Sequence, residues 1–493
     1  MMLLRTDKRV GDGRIDRAYG EVPRMRRTAL LAALGLTAAG LVPLALPAGA
    51  ACGAPTGGKL AFGEPVYVDE NRAGGEPAVM AAPDGGLLVT AHAGTTHINK
   101  DPNSAGGVGD FGVGYTNQTL NWRSDDGGKT WQHIGLVGEF GPHSPTSSGF
   151  SDPDLSVDAG GRVYNTEINL VNVSVYSSTD GGRSWPIANP AVTSGDRPWV
   201  TGARKDEVYL YVNTARQLWR STNGGLTFSL IGTSVPVTGK LLVDPLKPAG
   251  GLIGPAVNAG PEAEGTAGST PGGVAISGDE GRTWETFPVE LGKTTQFFTA
   301  GATAVDTAGT IYQVAAGGYQ GGGDREDDGE VTIASFDRKT KRWSPVTTIA
   351  RPKGDAMWPW IVAGDAGRVG VVWLERRGDA FRVMAATSLN AAGSTIRCGG
   401  RTVKATPRWQ VADATGRPVH QGDICLNGTT CNLDVSPEGE RRLGEYVTVA
   451  LDPSGRLIAA TADTMLKNPL GGAKSVANPL FLKQTGGPSL YAK

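Results

Sequence analysis

Six side chains in this sequence bring together acid, base and anion-gripping chemistry: Asp152, Asp154, Arg197, Asp355, Glu445 and Tyr446. Asp152 and Asp154 flank Pro153, Arg197 lies in Asp196-Arg197-Pro198-Trp199, and Glu445 directly precedes Tyr446. Two carboxyl groups facing each other across a cleft can split a glycosidic bond, and Asp152 with Asp355 is a candidate pair. An arginine guanidinium offers planar, permanently charged donors that fit a carboxylate in two bonds. Glu445-Tyr446 reads either as a carboxylate–tyrosine pair or as the packed start of a strand. These residues are spread over most of the chain, so they meet only if the fold gathers them.

The elements that position them are written as repeats. Residues 124–131 read SDDGGKTW, and near copies begin at Ser178 (STDGGRSW), Ser221 (STNGGLTF) and Ser277 (SGDEGRTW), spaced by 54, 43 and 56 residues. A period of this size marks an array or a propeller. A second repeat lies beneath it: an apolar stretch, a turn with Asp or Gly, and another apolar stretch. It starts at Pro77, Asp154, Pro198, Leu241, Thr303, Trp360 and Tyr446. β-Branched residues around such punctuation give a strand, a tight turn and an antiparallel strand. A third strand runs into the octet and a fourth leaves it, which makes a four-stranded propeller blade. The fifth unit carries a worn octet, SFDRKTKRW from Ser335, and the sixth and seventh carry none. The segment from Lys59 to Glu70 has the pattern of an outer strand that closes the seventh blade. The reading is an all-β, seven-bladed β-propeller of four-stranded antiparallel blades, six blades being the alternative, in one domain over residues 51–493.

The octets resemble the Asp-box (BNR repeat) of the sialidase superfamily. The pattern matches at Ser124, Asp126, Gly128, Thr130 and Trp131; at Ser178, Asp180, Gly182, Ser184 and Trp185; and at Ser277, Asp279, Gly281, Thr283 and Trp284. The copy at Ser221 departs, with Asn223 for Asp and Phe228 for Trp. Aspartate accepts N–H bonds within its own turn, glycine takes the positive φ, and the aromatic ring packs between blades. The octet aspartates are therefore read as structural. The resemblance implies that they lie on the face opposite an active site.

With the octets at the bottom, the starts of the innermost strands ring the top mouth. These are Glu76, Asp152, Asp154, Asp196, Arg197, Lys240, Asp355, Trp358, Glu445 and Tyr446, and ends of second strands add His92, Glu167, Asn213 and Glu375. The stretches 92–119, 138–151, 316–330 and 413–442 are expected on the same face, where loops usually carry function. The resemblance further implies an arginine triad on a sugar carboxylate, a tyrosine nucleophile with a glutamate partner, and an aspartate acid/base. The first arginine of such a triad belongs to an R-I-P motif, and this sequence has Gly75-Glu76-Pro77 there. Arg72 is out of register, and Arg197, followed by Pro198, lies in blade three. The leading reading is an exported sialidase-like propeller acting on or binding glycans, as an exo-α-sialidase-like glycosidase if it is an enzyme. The alternative is a non-catalytic extracellular binding or scaffold propeller.

Arg24, Arg26 and Arg27 precede an apolar run that ends in Ala48-Gly49-Ala50, the layout of a secretory signal peptide over residues 1–50. Cleavage there gives a secreted chain, and lipid anchoring at Cys52 is the alternative. In an oxidising compartment Cys425 and Cys431, which flank LNGTT, are expected to form a disulfide. With 47 Lys+Arg against 48 Asp+Glu and no basic stripe, nucleic acid is not an expected partner. A glycan or glycoconjugate is. The mature chain is read as a monomer with no transmembrane span. No cofactor and no metal site is expected. The acidic run Asp324 to Glu330 suggests calcium, but as an EF-hand loop it has Ser335 where a glutamate is needed.

Overall fold

A computed structural model of the chain describes residues 57–92, 119–135, 151–169, 172–256, 272–292, 301–324, 326–398, 401–426, 440–467 and 477–492. They form seven antiparallel sheets arranged as a seven-bladed β-propeller, plus a separate two-stranded antiparallel sheet of Ser394–Cys398 and Arg401–Ala405, with no helix among the described residues. Blade 1 runs outward as Gly75–Ala81, Leu87–His92, Thr119–Ser124 and Gln132–Ile134. Blade 2 follows with Ser151–Val157, Val163–Asn169, Asn172–Ser178 and Ile187–Thr193, and blade 3 with Pro198–Gly202, Val208–Val212, Gln217–Ser221 and Ser229–Gly232. Blades 4, 5 and 6 begin with the innermost strands Leu242–Val243, Thr303–Val305 and Ala356–Ala363. Blade 7 has Thr448–Leu451, Leu457–Asp463 and Asn478–Gly486, and the N-terminal strand Ala61–Phe62 completes it on the outside. Val66–Tyr67 pairs with the same C-terminal strand, so both ends of the propeller close one blade. The expected role of Lys59–Glu70 and the choice of seven blades over six are both met.

The second strand of blade 3 is apolar on both faces because it is sandwiched within its own sheet and between neighbouring blades. Val208, Tyr209, Leu210, Tyr211 and Val212 are all buried. The Asp turns then tie blade to blade. Asp158 Oδ1 accepts the Gly160 and Arg162 N–H groups, while Oδ2 accepts the Tyr164 hydroxyl and the Asp206 N–H of blade 3. Asp306 repeats the pattern with Ala308, Thr310, Tyr312 and the Gly367 N–H of blade 6.

The octets share one hydrogen-bond scheme. In the first, the buried Ser124 hydroxyl accepts the Gly128 N–H and donates to Asp126 Oδ1, which also accepts the Thr130 N–H, and the Thr130 hydroxyl donates to Oδ2. Ser178–Ser184 and Ser277–Thr283 repeat it. Each octet also seats on the preceding blade. Trp131 meets Phe481 of blade 7 edge-on at 5.1 Å, and Trp185 packs with Leu88 of blade 1. Gly128 has φ +93°, and a Cβ there would stand 2.1 Å from the Phe481 ring. Gly128→Ala therefore combines αL strain with overpacking at the closing seam. The expected loss is about 2–4 kcal/mol, read in a denaturant melt.

The octet aspartates do structural work, and this has a pH signature. The Thr283 hydroxyl, backbone N–H groups and the Ser277 hydroxyl hold Asp279 down to about 2. Its folded value lies below the unfolded one near 4, so its stabilisation is present above that value and fades as pH falls toward about 2. Asp279→Ala should lower the melting temperature at neutral pH and narrow the gap to wild type in acid. A variant whose melting temperature tracks wild type at every pH would remove this role.

Candidate functional site

Three innermost strands open on the same unusual backbone. Glu76, Asp152 and Arg197 have φ values of 48°, 53° and 62°, and each is followed by proline. A residue before proline normally takes an extended conformation. Holding a non-glycine residue in αL costs on the order of 1–3 kcal/mol, so the surroundings must enforce it. In blades 1 and 2 the register slips there, between Gly75 and Ala78 and between Ser151 and Asp154. These bulges re-aim one side chain at each strand start.

The re-aimed side chains meet. Arg197 forms an ion pair with Glu445, which also pairs with Arg441. The Arg197 N–H donates to Asp152 Oδ2 at 3.2 Å. His92 Nε2 lies 3.5 Å from Glu76 Oε2, and both side chains are fully buried. The Glu76 side chain lies against Gly444, where a Cβ would come within 2.2 Å. The Tyr446 hydroxyl donates to the Pro153 carbonyl at 3.4 Å. Glu76, Asp152, Arg197, Arg441, Glu445 and Tyr446 thus form one group, each no more than 8% exposed.

Burial governs its electrostatics. Burial pushes the Asp152 carboxyl well up, Arg197 opposes this, and the nearby Glu76 and Asp196 charges add to the rise. Asp152 thereby becomes a candidate proton donor. Tyr446 is pushed well above the usual phenol range by burial and by the Glu76 and Asp152 charges. Burial lowers the Arg441 guanidinium against the attraction of Glu76.

Asp154 and Asp355 take other positions. Asp154 receives the Lys240 ammonium at 2.6 Å and the Val200 N–H at 3.0 Å. Asp355 pairs with Arg376 at 2.5 Å. Arg376 also donates to the Asp324 and Glu326 carbonyls and lies over the Tyr319 ring, so this pair secures the acidic loop. The described contacts thus place Asp355 in a separate cluster from Asp152. Beneath the mouth, Trp199, Trp360 and Tyr446 meet as three rings with centroids 5.7–6.0 Å apart. Below them the innermost strands enclose a central cavity of about 390 Å³, lined in part by Asp154, Lys240 and Trp360.

Sequence reasoning named Glu76 and His92 only as ring positions and missed Arg441. The available signal for Arg441 was its place in the 413–442 stretch expected on the top face, four residues before Glu445. The loops at 93–118, 136–150 and 427–439 lie outside the described residues, as do residues 1–50 and Cys431. Cys425 is buried and is not a free thiol. Among the described residues there is no group of three metal-ligating side chains, and no helix is long and apolar enough to cross a membrane.

The class that the architecture defines is the seven-bladed β-propeller. No protein-family model matches the chain. It is similar to a sialidase of Micromonospora viridifaciens, at 32% identity over 33% of this chain and 27% of that protein. It is also similar to a xyloglucanase of Hypocrea jecorina, at 26% identity over 42% of this chain and 29% of that protein. The chain thus spans under a third of the length of these curated relatives. Among solved structures, a GH74 enzyme of Niastella koreensis aligns with 85% of this chain and 60% of its own, at 15% identity and a TM-score of 0.44. A protein of unknown function from Dyadobacter fermentans aligns with 87% of this chain and 99% of its own, at 15% identity and a TM-score of 0.42.

Proposed function

We propose that the chain is an exported glycan-processing propeller in which the top-face group acts on a glycosidic bond. Asp152 carries this reading: a buried carboxyl, its proton affinity raised by burial, beside a second carboxylate, Glu76, and the Arg197–Glu445–Arg441 group. A carboxyl whose proton affinity is raised suits proton donation to a leaving oxygen, and a nearby carboxylate suits the base or nucleophile. Two observations favour an uncharged sugar over a sialoside. The R-I-P arginine is replaced by Gly75, and both arginines at the mouth are already engaged by Glu445. Similarity to a sialidase and a xyloglucanase supports a glycan as the ligand class. Export through residues 1–50 and a Cys425–Cys431 disulfide belong to the same proposal.

A second reading, a non-catalytic binding propeller, is favoured by how deeply the group is buried. Turnover separates the two. The purified protein is assayed on fluorogenic sialosides and a panel of neutral glycosides, with Asp152→Asn and Arg197→Ala alongside. Cleavage of a neutral glycoside, lost in Asp152→Asn, is the expected result. Sialoside cleavage lost in Arg197→Ala, with melting curves showing that the variant is still folded, would instead establish a variant sialidase. Binding without cleavage in a folded protein would leave the scaffold reading.

A further inference from the structure

The positive φ before proline seen at Glu76, Asp152 and Arg197 occurs a fourth time. Trp358 has φ 52°, precedes Pro359, and lies where the blade 6 register slips between Met357 and Trp360. Four of the nine non-glycine residues with positive φ among the described residues are therefore X-Pro positions at the start of innermost strands. Blade 7 adjoins blade 1, where the Thr448 hydroxyl donates to the Pro77 carbonyl. Blades 6, 7, 1, 2 and 3 thus form a continuous arc carrying Trp358, the Arg441–Glu445–Tyr446 group, Glu76, Asp152 and Arg197.

Three of these strained positions hold charged side chains of the candidate site. Strain of this kind persists where the surroundings enforce it, and it gathers at ligand-gripping positions. Trp358 is 3% exposed, and its indole N–H has no hydrogen-bond partner among the described residues. Several other buried tryptophans share that orphan N–H, Trp373 of the same blade among them. What sets Trp358 apart is the backbone it shares with Glu76, Asp152 and Arg197. A buried N–H without an acceptor is costly and gains from a ligand acceptor.

We propose that Trp358 is a specificity-determining residue of the mouth, giving an uncharged pyranose an apolar wall and one N–H donor for a ring hydroxyl. This rests on the glycan reading above and extends it from the bond that is cleaved to the sugar that is held. An indole suits an uncharged sugar because its face covers C–H groups while its edge donates a single hydrogen bond.

The test uses the full chain labelled with 5-fluorotryptophan, with the Trp358 resonance assigned by its loss in Trp358→Phe. The neutral glycoside panel is titrated into the labelled wild type. Steady-state rates are then measured for wild type, Trp358→Phe and, as a buried control, Trp373→Phe. Melting curves confirm that each variant is folded. Expected are a shift of the Trp358 resonance on glycan addition and a KM about tenfold higher in Trp358→Phe with kcat little changed, as loss of one hydrogen bond implies. Trp373→Phe should leave both constants near wild type. A glycoside that is cleaved while the Trp358 resonance stays in place and KM is unchanged in Trp358→Phe would overturn the assignment and leave the functional reading intact. If wild type neither binds nor cleaves any member of the panel, the functional reading falls and the Trp358 assignment falls with it.

Discussion

Arg197→Ala is expected to be among the most destabilising single substitutions in the chain, at about 3–5 kcal/mol. Arg197 and Glu445 are each 5% exposed, and Arg197 faces Asp152 as well. Removing the guanidinium leaves Glu445 with Arg441 alone and strips Asp152 of the charge that opposes its neutralisation. Leaving a buried charge without its partner costs more than the intact pair ever contributed. The loss can be read by urea denaturation at neutral pH. The double variant Arg197→Met with Glu445→Gln removes the excess negative charge but takes from Arg441 its partner, so it should recover only part of the loss. A single variant as stable as wild type would mean that the pair is not desolvated.

Asp152→Asn is expected to act in the opposite sense on stability while removing activity. The folded value of this carboxyl is raised by burial, Glu76 and Asp196 against the pull of Arg197. For an acid raised on folding, the favourable contribution is complete below the unfolded value near 4 and is lost as pH rises through the folded value. At neutral and alkaline pH the buried carboxyl is therefore a liability, and asparagine removes its ionisation. The variant should melt at or above the wild-type temperature at pH 8, with the difference shrinking in acid. Under the proposed function its turnover should drop by about 10²–10⁴-fold, the usual contribution of a positioned proton donor. Equal activity in the two proteins would take Asp152 out of the chemistry. A marked loss of stability in the variant would show that its negative charge is needed by Arg197.

The sequence made the blades legible because their rules are local. Asp and Gly at fixed offsets specify the turns, and the serine, aspartate and glycine of each octet close one hydrogen-bonded loop, as Ser124, Asp126 and Gly128 do. The outer strand of blade 7 was also readable, since an apolar segment before the first repeat has few other places to go. The site was legible only as a ring of strand starts. Which members meet depends on the backbone at each strand start, and Glu76, Asp152, Arg197 and Trp358, all with positive φ, show the reason. X-Pro is a common dipeptide, and its usual meaning is extended backbone. Nothing local announces an αL residue there, so the convergence of Glu76 with Asp152 and Arg197 had no signal. Asp355 illustrates the reverse. It occupies a correct ring position, yet its charge is taken by Arg376, a partner on the next strand of its own blade. Arg441 lies in a long connection whose path no periodicity describes.

The account stands on the claim that a protonated Asp152 drives glycoside cleavage at the mouth. The most direct test is the initial rate on the best-cleaved neutral glycoside as a function of pH, for wild type and Asp152→Asn together. The account predicts a wild-type rate that holds through neutral pH and falls on the alkaline side as Asp152 gives up its proton, with the variant about 100-fold or more slower throughout. A wild-type rate that rises where Asp152 ionises, or a variant that matches wild type across the range, would contradict it.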